Sequence, residues 1–377
     1  MPDQHAVLSA SSANRWLNCT PSALLNAIVP DKATSYAQEG SEAHLLCEFE
    51  IKKALGVLMD DPHSTLQYYD KEMQECADDY RDYVMAQLAK AKETCQDPLI
   101  CIEQKLDYSR WVPQGFGTGD CLIVSDGTMH VIDFKYGVGV KVPAQMNPQM
   151  LCYGLGALDT FGDLYSIDTV ILTIYQPRRA HIDTFTISKD ALLKWAEEVL
   201  APAAKLAAAG KGEFSVGDWC TFCKIKGSCR ARAKVNMSLK NCEWMEAATL
   251  DPESVAQMLP EVDGLISWAE DFKKEALDMA IGGTPIPHYK LVEGRANRTY
   301  ADSNEVATVV EKAGYDPYEK KIKTVTAMQK MLGKNEFNEL LKDLIIKPQG
   351  KPTLVPESDP RPAMNAMPED DFKDEEE

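Results

Sequence analysis

Apolar residues recur at helical spacing through ATSYAQEGSEAHLLCEFEIKKALG and LQYYDKEMQECADDYRDYVMAQLAKAKETC, with few breakers, so most of the N-terminal quarter is predicted to be helix. Ahead of them, SASSANRWLNCTPSALLNAI offers hydroxyl residues to cap a short helix and a proline to restart one. From Leu99 the pattern changes to β-branched runs: PLICIEQKLDY, GDCLIVSDG and TMHVIDFKYG. Ser125, Asp126 and Gly127 supply a hairpin turn between the second and third, which predicts an antiparallel meander. AQMNPQMLCYGLGALDTF returns to helix, and DTVILTIYQP and HIDTFTIS then form two more strands about a turn at Pro177, Arg178 and Arg179. A long helix follows in SKDALLKWAEEVLAPAAKLAAAG, stopped by Gly210. This order predicts an α/β fold with a mixed central sheet flanked by helices.

Beyond about residue 250 the chain is helix-rich: PESVAQMLPEV and GLISWAEDFKKEALDMA read as two helices, followed by NEVATVVEKAG and TAMQKMLGKNEFNELLKDLI. We place a first domain at residues 1–243, a helix-rich C-terminal module at 244–355 and a tail at 356–377.

The chain has 377 residues and is 45% hydrophobic, enough for two or three domains with a real core. Its formal charge of -18 excludes a wholly basic nucleic-acid binder, so any nucleic-acid surface is local. Residues 357–377 hold nine acids against two bases and read as a disordered acidic tail. Residues 219–241 contain no acid, while Lys224, Lys226, Arg230, Arg232, Lys234 and Lys240 make a candidate anion-facing patch. On charge alone, a solvated helix face fits that segment as well. No apolar run of about 18 residues and no signal-peptide pattern occurs, so a cytoplasmic protein without membrane contact is expected. An odd number of cysteines, eleven, argues against a secreted disulfide framework and towards free thiols with a metal site. No G-x-x-x-x-G-K-[ST] loop occurs, and Gly115, Gly117 and Gly119 lack the dinucleotide spacing, so no ATP-driven motor is expected.

The candidate chemistry centres on GTGDCLIVSDGTMHVIDFKYG. Side chains two apart on a strand share a face, so Asp133 and Lys135 project together, and the hairpin brings Asp120 alongside. Two carboxylates and a lysine suit metal-assisted phosphodiester hydrolysis: hard oxygens hold Mg²⁺ or Mn²⁺, and the ammonium orients water or offsets developing charge. Taken alone, such a pair is more often an exposed ion pair. His44, on an upstream helix, is a candidate ligand, and Gln149 and Tyr153 share a helix face just after the strand. Glu103 could join them but reads more simply as an exposed strand residue. Cys220, Cys223 and Cys229 form C-x2-C-x5-C, with Cys19 far upstream, a thiol set suited to Zn²⁺ or a 4Fe-4S cluster. A Zn²⁺ site could instead use Cys220, Cys223, Cys229 and Cys242.

Over residues 9 to about 232 this order of blocks resembles the RecB-type nuclease domains of the PD-(D/E)xK superfamily, whose core is restriction-endonuclease-like. Those domains show a helix with a metal-binding His, a GxxD strand, a D/ExK strand and a QxxxY helix. The matches are His44, Gly117 with Asp120, Asp133 with Lys135, and Gln149 with Tyr153. A Gly stands before Asp120 and the D/E position is Asp, as in some RecB-type members. The resemblance implies that His44, Asp120, Asp133 and the Phe134 carbonyl hold the metal and that Lys135 assists the water. The split cysteines resemble the iron-staple nucleases such as AddB, which implies a 4Fe-4S cluster on Cys19, Cys220, Cys223 and Cys229 that clips the two ends of the domain together.

EGRANR, LGKNEF and SDPRP also resemble a family of phage and prophage proteins encoded near replication genes, which implies phage replication or recombination proteins as partners. The function this implies is a metal-dependent deoxyribonuclease, expected to be an exonuclease although nothing in the sequence separates exo from endo action, with Lys224, Lys226, Arg230 and Arg232 guiding DNA. The competing readings are a non-catalytic DNA-binding or scaffold protein that keeps the fold, and a zinc-stabilised interaction module.

Overall fold

The computed structural model describes residues 6–30, 34–237, 252–292, 300–319, 321–346 and 359. Its centre is a five-stranded mixed sheet in the order β1 (Leu99–Asp107), β2 (Phe116–Ser125), β3 (Gly127–Phe134), β4 (Ile167–Gln176) and β5 (His181–Ser188). The first three strands pair antiparallel, as a meander, and Gly127 makes the β2–β3 turn at φ 81°. β4 runs parallel to β3, so the chain must cross over between them, and it does so through α5 (Pro148–Phe161). β5 returns antiparallel to β4.

Alternation along the strands builds two cores. Leu122, Val124, Met129, Val131 and Leu172 face α5 together with α1 (Ala13–Asn18) and the helical run of α6 (Lys189–Trp195) and α7 (Ala201–Ala208). Cys121, Ile123, Ile132 and Phe134 face α3 (Ser35–Ala54) and α4 (Lys71–Thr94). The sheet is therefore covered on both sides, and α5, apolar around most of its circumference, is almost wholly buried. Short polar side chains start these helices where the sequence offers them. Thr34, Asp70 and Asn147 each accept a backbone N–H from the first turn of α3, α4 and α5.

α2 (Ser22–Ala27) follows α1, and Thr20 between them donates to the Lys211 carbonyl at 2.6 Å, tying the N-terminus to the end of α7. Between α6 and α7 the helix widens to a π turn at Ala196–Leu200, beside Pro202, which has no N–H to continue the ladder. α8 (Arg230–Met237) packs against α9 (Pro252–Ile281). The two helices expected on either side of Asp263 are one: strong helix formers flank Pro260 and Gly264, and the contact with α8 holds the helix through them.

α10 (Ser303–Lys312) follows α9. The chain divides into two compact units, Met1–Ile322 and Lys323–Glu377, a later division than the module boundary drawn at 243/244, because Asp271 of α9 pairs with Lys226 and Arg232. In the second unit, α11 (Val325–Leu332) and α12 (Lys334–Leu341) meet at Gly333, φ 76°, and bury Phe337. Among the described residues no helix is long and apolar enough to cross a membrane. The acidic tail reading falls almost entirely outside the described residues.

Candidate metal centre and cysteine recess

The β2–β3 register pairs Cys121 with Ile132, so Asp120 and Asp133, one step further along each strand, stand opposite each other. Asp120 Oδ2 accepts the Phe134 N–H at 2.7 Å, which leaves Oδ1 3.4 Å from His44 Nδ1 on α3. Beyond β3, the Lys135 ammonium lies 2.9 Å from Asp133 Oδ2 and donates to Gln149 Oε1 at 3.3 Å. Gln149 Nε2 donates to Asp133 Oδ1 at 3.0 Å and to the Tyr153 hydroxyl at 3.4 Å. The Asn147 cap fixes the first turn of α5, and with it the Gln149 amide, at the C-terminal end of β3 where the chain crosses over. Phe134 closes the floor, its ring among His44, Tyr80 and Tyr136.

The carboxylates differ in surroundings. Asp133, which on spacing alone fits half of an exposed ion pair, is 2% exposed, because α5 covers the end of β3. Its Oδ2 faces Lys135 as an ion pair but off the hydrogen-bonding direction, so a buried acceptor stays unfilled. Glu103, expected as an exposed strand residue, is half-buried: the β1–β2 pairing breaks between Ile102 and Gln104, Glu103 takes φ 51°, and its carboxylate turns inward. One ligand atom each from His44, Glu103 and Asp120 then lie within 4.8 Å of one another. A left-handed φ at a non-glycine residue is a strained conformation that tertiary structure must hold.

Burial opposes charge on His44, yet Asp120, with Asp133 and Glu103 behind it, pushes its pKa up to about 9. Burial pushes Glu103 up to about 7, with Asp120 adding to the rise. Burial also raises Asp133 against the pull of Lys135, while for Asp120 burial is outweighed by His44, Lys135 and the Phe134 N–H together, which hold it below the ordinary carboxylate range. Burial disfavours the Lys135 ammonium, and Asp133 and Asp120 more than compensate, so it stays charged. Three carboxylates held by one ammonium and a proton on imidazole suit a divalent cation, which replaces that proton and takes oxygen and nitrogen ligands.

Far from this centre in sequence, Cys19, Cys220, Cys223 and Cys229 line one recess with Arg15, Lys226 and Arg232. Asn26 Nδ2 donates to Cys223 Sγ at 3.3 Å, and its Oδ1 accepts the Lys224 N–H at 2.7 Å. The two halves of the split cysteine set are therefore brought together. Cys242, needed for the zinc alternative, lies outside the described residues.

The family described as "Protein of unknown function (DUF2800)" matches residues 5–362. The chain belongs to it. The matched span takes in both the carboxylate centre and the cysteine recess of this DUF2800 member. A solved structure titled "Crystal structure of SSO0001" is 14% identical, aligned over 50% of this chain and 95% of its own, with a TM-score of 0.22, too low to bear on the fold.

The basic segment is not the open track expected of Lys224, Lys226, Arg230 and Arg232. Arg232 is buried and donates to Asp271 and to Ser267 Oγ at 3.1 Å, and Lys226 lies 3.0 Å from Asp271. Lys224 donates to the Val29 carbonyl at 2.9 Å, and Arg230 is exposed. Lys226 and Arg232 thus fasten α9 beside the recess by sharing the Asp271 carboxylate, which lies 39 residues beyond Arg232. This pairing is invisible in a local charge count.

Proposed function

We propose that this protein is a divalent-metal-dependent deoxyribonuclease of RecB type, with a PD-(D/E)xK core and an exonucleolytic role in phage DNA replication, recombination or processing. What supports the reading is the convergence of four separated segments: His44 on α3, Asp120 on β2, Asp133 and Lys135 at the end of β3, and Gln149 and Tyr153 on α5. A scaffold has no physical need for that whole set.

His44, Asp120, Asp133 and the Phe134 carbonyl, joined by Glu103, would hold Mg²⁺ or Mn²⁺. The unfilled Oδ2 of Asp133 and the close ligand atoms of His44, Glu103 and Asp120 fit such an ion. The ion supplies Lewis-acid polarisation of the phosphate and lowers the pKa of water. The Lys135 ammonium, kept charged by Asp133 and aimed by Gln149, orients the attacking water and offsets charge developing on the phosphate. Gln149 holds Asp133 and Lys135 in one geometry, and Tyr153, its phenol pushed towards the neutral form by burial, is a hydrogen-bond donor beside it.

The cysteine recess would hold a 4Fe-4S cluster that staples the N-terminal helices to the segment after α7. Four thiols line that one recess, Cys19 from one end of the domain and Cys220, Cys223 and Cys229 from the other, the number such a cluster takes. Arg15, Lys226 and Arg232 around the recess, and the Asn26 amide on Cys223, suit an anionic thiolate group.

Incubating the purified protein with nicked, linear and circular DNA in Mg²⁺ or Mn²⁺ tests the activity. Cleavage that stops on chelation supports the nuclease, and DNA binding without cleavage in either ion supports the scaffold.

A further inference from the structure

The segment between Lys135 and α5 is unusual in how it is held. Its backbone is fastened from one side by polar side chains around the β4–β5 turn. The Val142 N–H donates to Gln176 Oε1 at 2.8 Å, and Gln176 Nε2 reaches the Val140 carbonyl at 3.4 Å. Arg179 donates to the Val138 carbonyl at 3.3 Å, His181 Nε2 to the Val142 carbonyl at 3.2 Å, and the Ala144 N–H to Asp183 Oδ2 at 2.7 Å. Gln176 is itself buried, so the attachment is part of the core and not a surface accident.

What this fastening displays is apolar. Val138 is 51% exposed and Val140 83%, two apart in G-V-G-V-K-V, and a Cβ at Gly137 or Gly139 would meet nothing within 4 Å. Lys141 and Arg179, both exposed, flank the valines with positive charge. Val138 is three residues from Lys135, so at ~3.5 Å per extended residue it lies within about 10 Å along the chain, or about three base steps at ~3.4 Å per nucleotide. A strand whose phosphate reaches Lys135 has this loop within about three nucleotides of it.

Rigid apolar side chains bordered by cations, next to the place where a backbone is cut, match the chemistry of a wedge. They would press between bases while the cations hold the phosphates. We propose that Val138 and Val140 separate the terminal base pairs of duplex DNA, so that one strand is fed to Lys135; this rests on the nuclease reading above. The substrate class is then double-stranded DNA with an end, opened by the protein itself.

The test uses the full chain and a duplex carrying 2-aminopurine at its second and third positions, with Ca²⁺ in place of Mg²⁺ for binding. Wild type is expected to raise the fluorescence at least twofold, through unstacking, and V138S/V140S to abolish the rise. In Mg²⁺ or Mn²⁺ the ratio of duplex to single-strand cleavage should fall about tenfold or more in V138S/V140S, while V138L/V140L keeps it. Both side-chain positions are exposed, so folding is not at risk, and circular dichroism checks it. An unchanged ratio or fluorescence signal in V138S/V140S overturns the wedge, as does an equal loss on both substrates. Wild type that cuts neither DNA form overturns the nuclease reading instead, and the fluorescence still decides on the wedge.

Discussion

The ring of Tyr153 lies directly over Gly117: a methyl group added to Gly117 would stand 2.8 Å from Cε1 and 3.5 Å from the hydroxyl. The glycine of the GxxD strand and the tyrosine of the QxxxY helix are thus one packing unit, which sets how closely α5 approaches β2 and hence where Gln149 meets Asp133. Gly117→Ala should displace Tyr153, lower stability by about 1–3 kcal/mol as overpacking does, and reduce cleavage. A double-mutant cycle checks the origin. In a Tyr153→Leu background, with the ring gone, the added methyl should cost much less.

The buried pair of Asp133 and Lys135 makes its two substitutions unequal. Asp133→Asn keeps the shape and the Gln149 contact and removes a charge. Lys135→Ala instead leaves a buried carboxylate unpaired, which costs on the order of 3–5 kcal/mol where it is not relieved. Thermal unfolding should therefore show Lys135→Ala as the less stable variant without added cation. Mn²⁺ should raise the melting temperature of wild type and fail to do so for Asp120→Ala.

Cys223→Ser should lose the iron and, with it, stability, because a group bound only by the folded chain adds its binding energy to folding. The control must be chosen by burial. Cys152 lies on α5, in the core with no exposure, so serine there would bury a hydroxyl, whereas Cys152→Ala keeps the environment apolar and should retain full iron content. Iron equal to wild type in Cys223→Ser would remove the staple, and stoichiometric zinc in its place would favour the single ion.

His130 gives the fold an acid-sensitive point away from both sites. It lies in β3, with Nε2 2.8 Å from Thr173 Oγ1, and burial, with Lys90 adding, pushes its pKa down to about 4. The unfolded chain takes up that proton near pH 6.5 and the folded chain only near 4, so the stability is fully present above pH 6.5. It is lost as pH falls through that window, by about 3 kcal/mol in all. Denaturant unfolding of His130→Leu between pH 7 and 4 should show a flatter slope than wild type.

Periodicity was enough to place the five strands, the meander and the crossover helix, because each of those elements buries a face its own pattern defines. Strand alternation was enough to bring Asp120, Asp133 and Lys135 together, and the resemblance to the RecB-type blocks added His44, Gln149 and Tyr153, which meet them at one end of the sheet. What sequence could not show was set at a distance. Glu103 reads as an ordinary exposed strand residue, and only the break in the β1–β2 ladder turns it inward. Asp133 is buried by a helix that begins 15 residues later. Lys226 and Arg232 share Asp271, on a helix whose pattern reads as two, divided at Asp263.

The central claim is that the Asp133–Lys135 centre cuts DNA with a divalent cation. The most direct measurement is the rate at which end-labelled linear DNA, single- and double-stranded, is degraded in Mn²⁺ or Mg²⁺ by wild type and by Asp133→Asn. The account predicts cleavage by wild type, none in chelator, and a loss on the order of 10²-fold or more in a folded Asp133→Asn protein. Equal rates for the two proteins, or no cleavage of any DNA form by wild type in either ion, would contradict it.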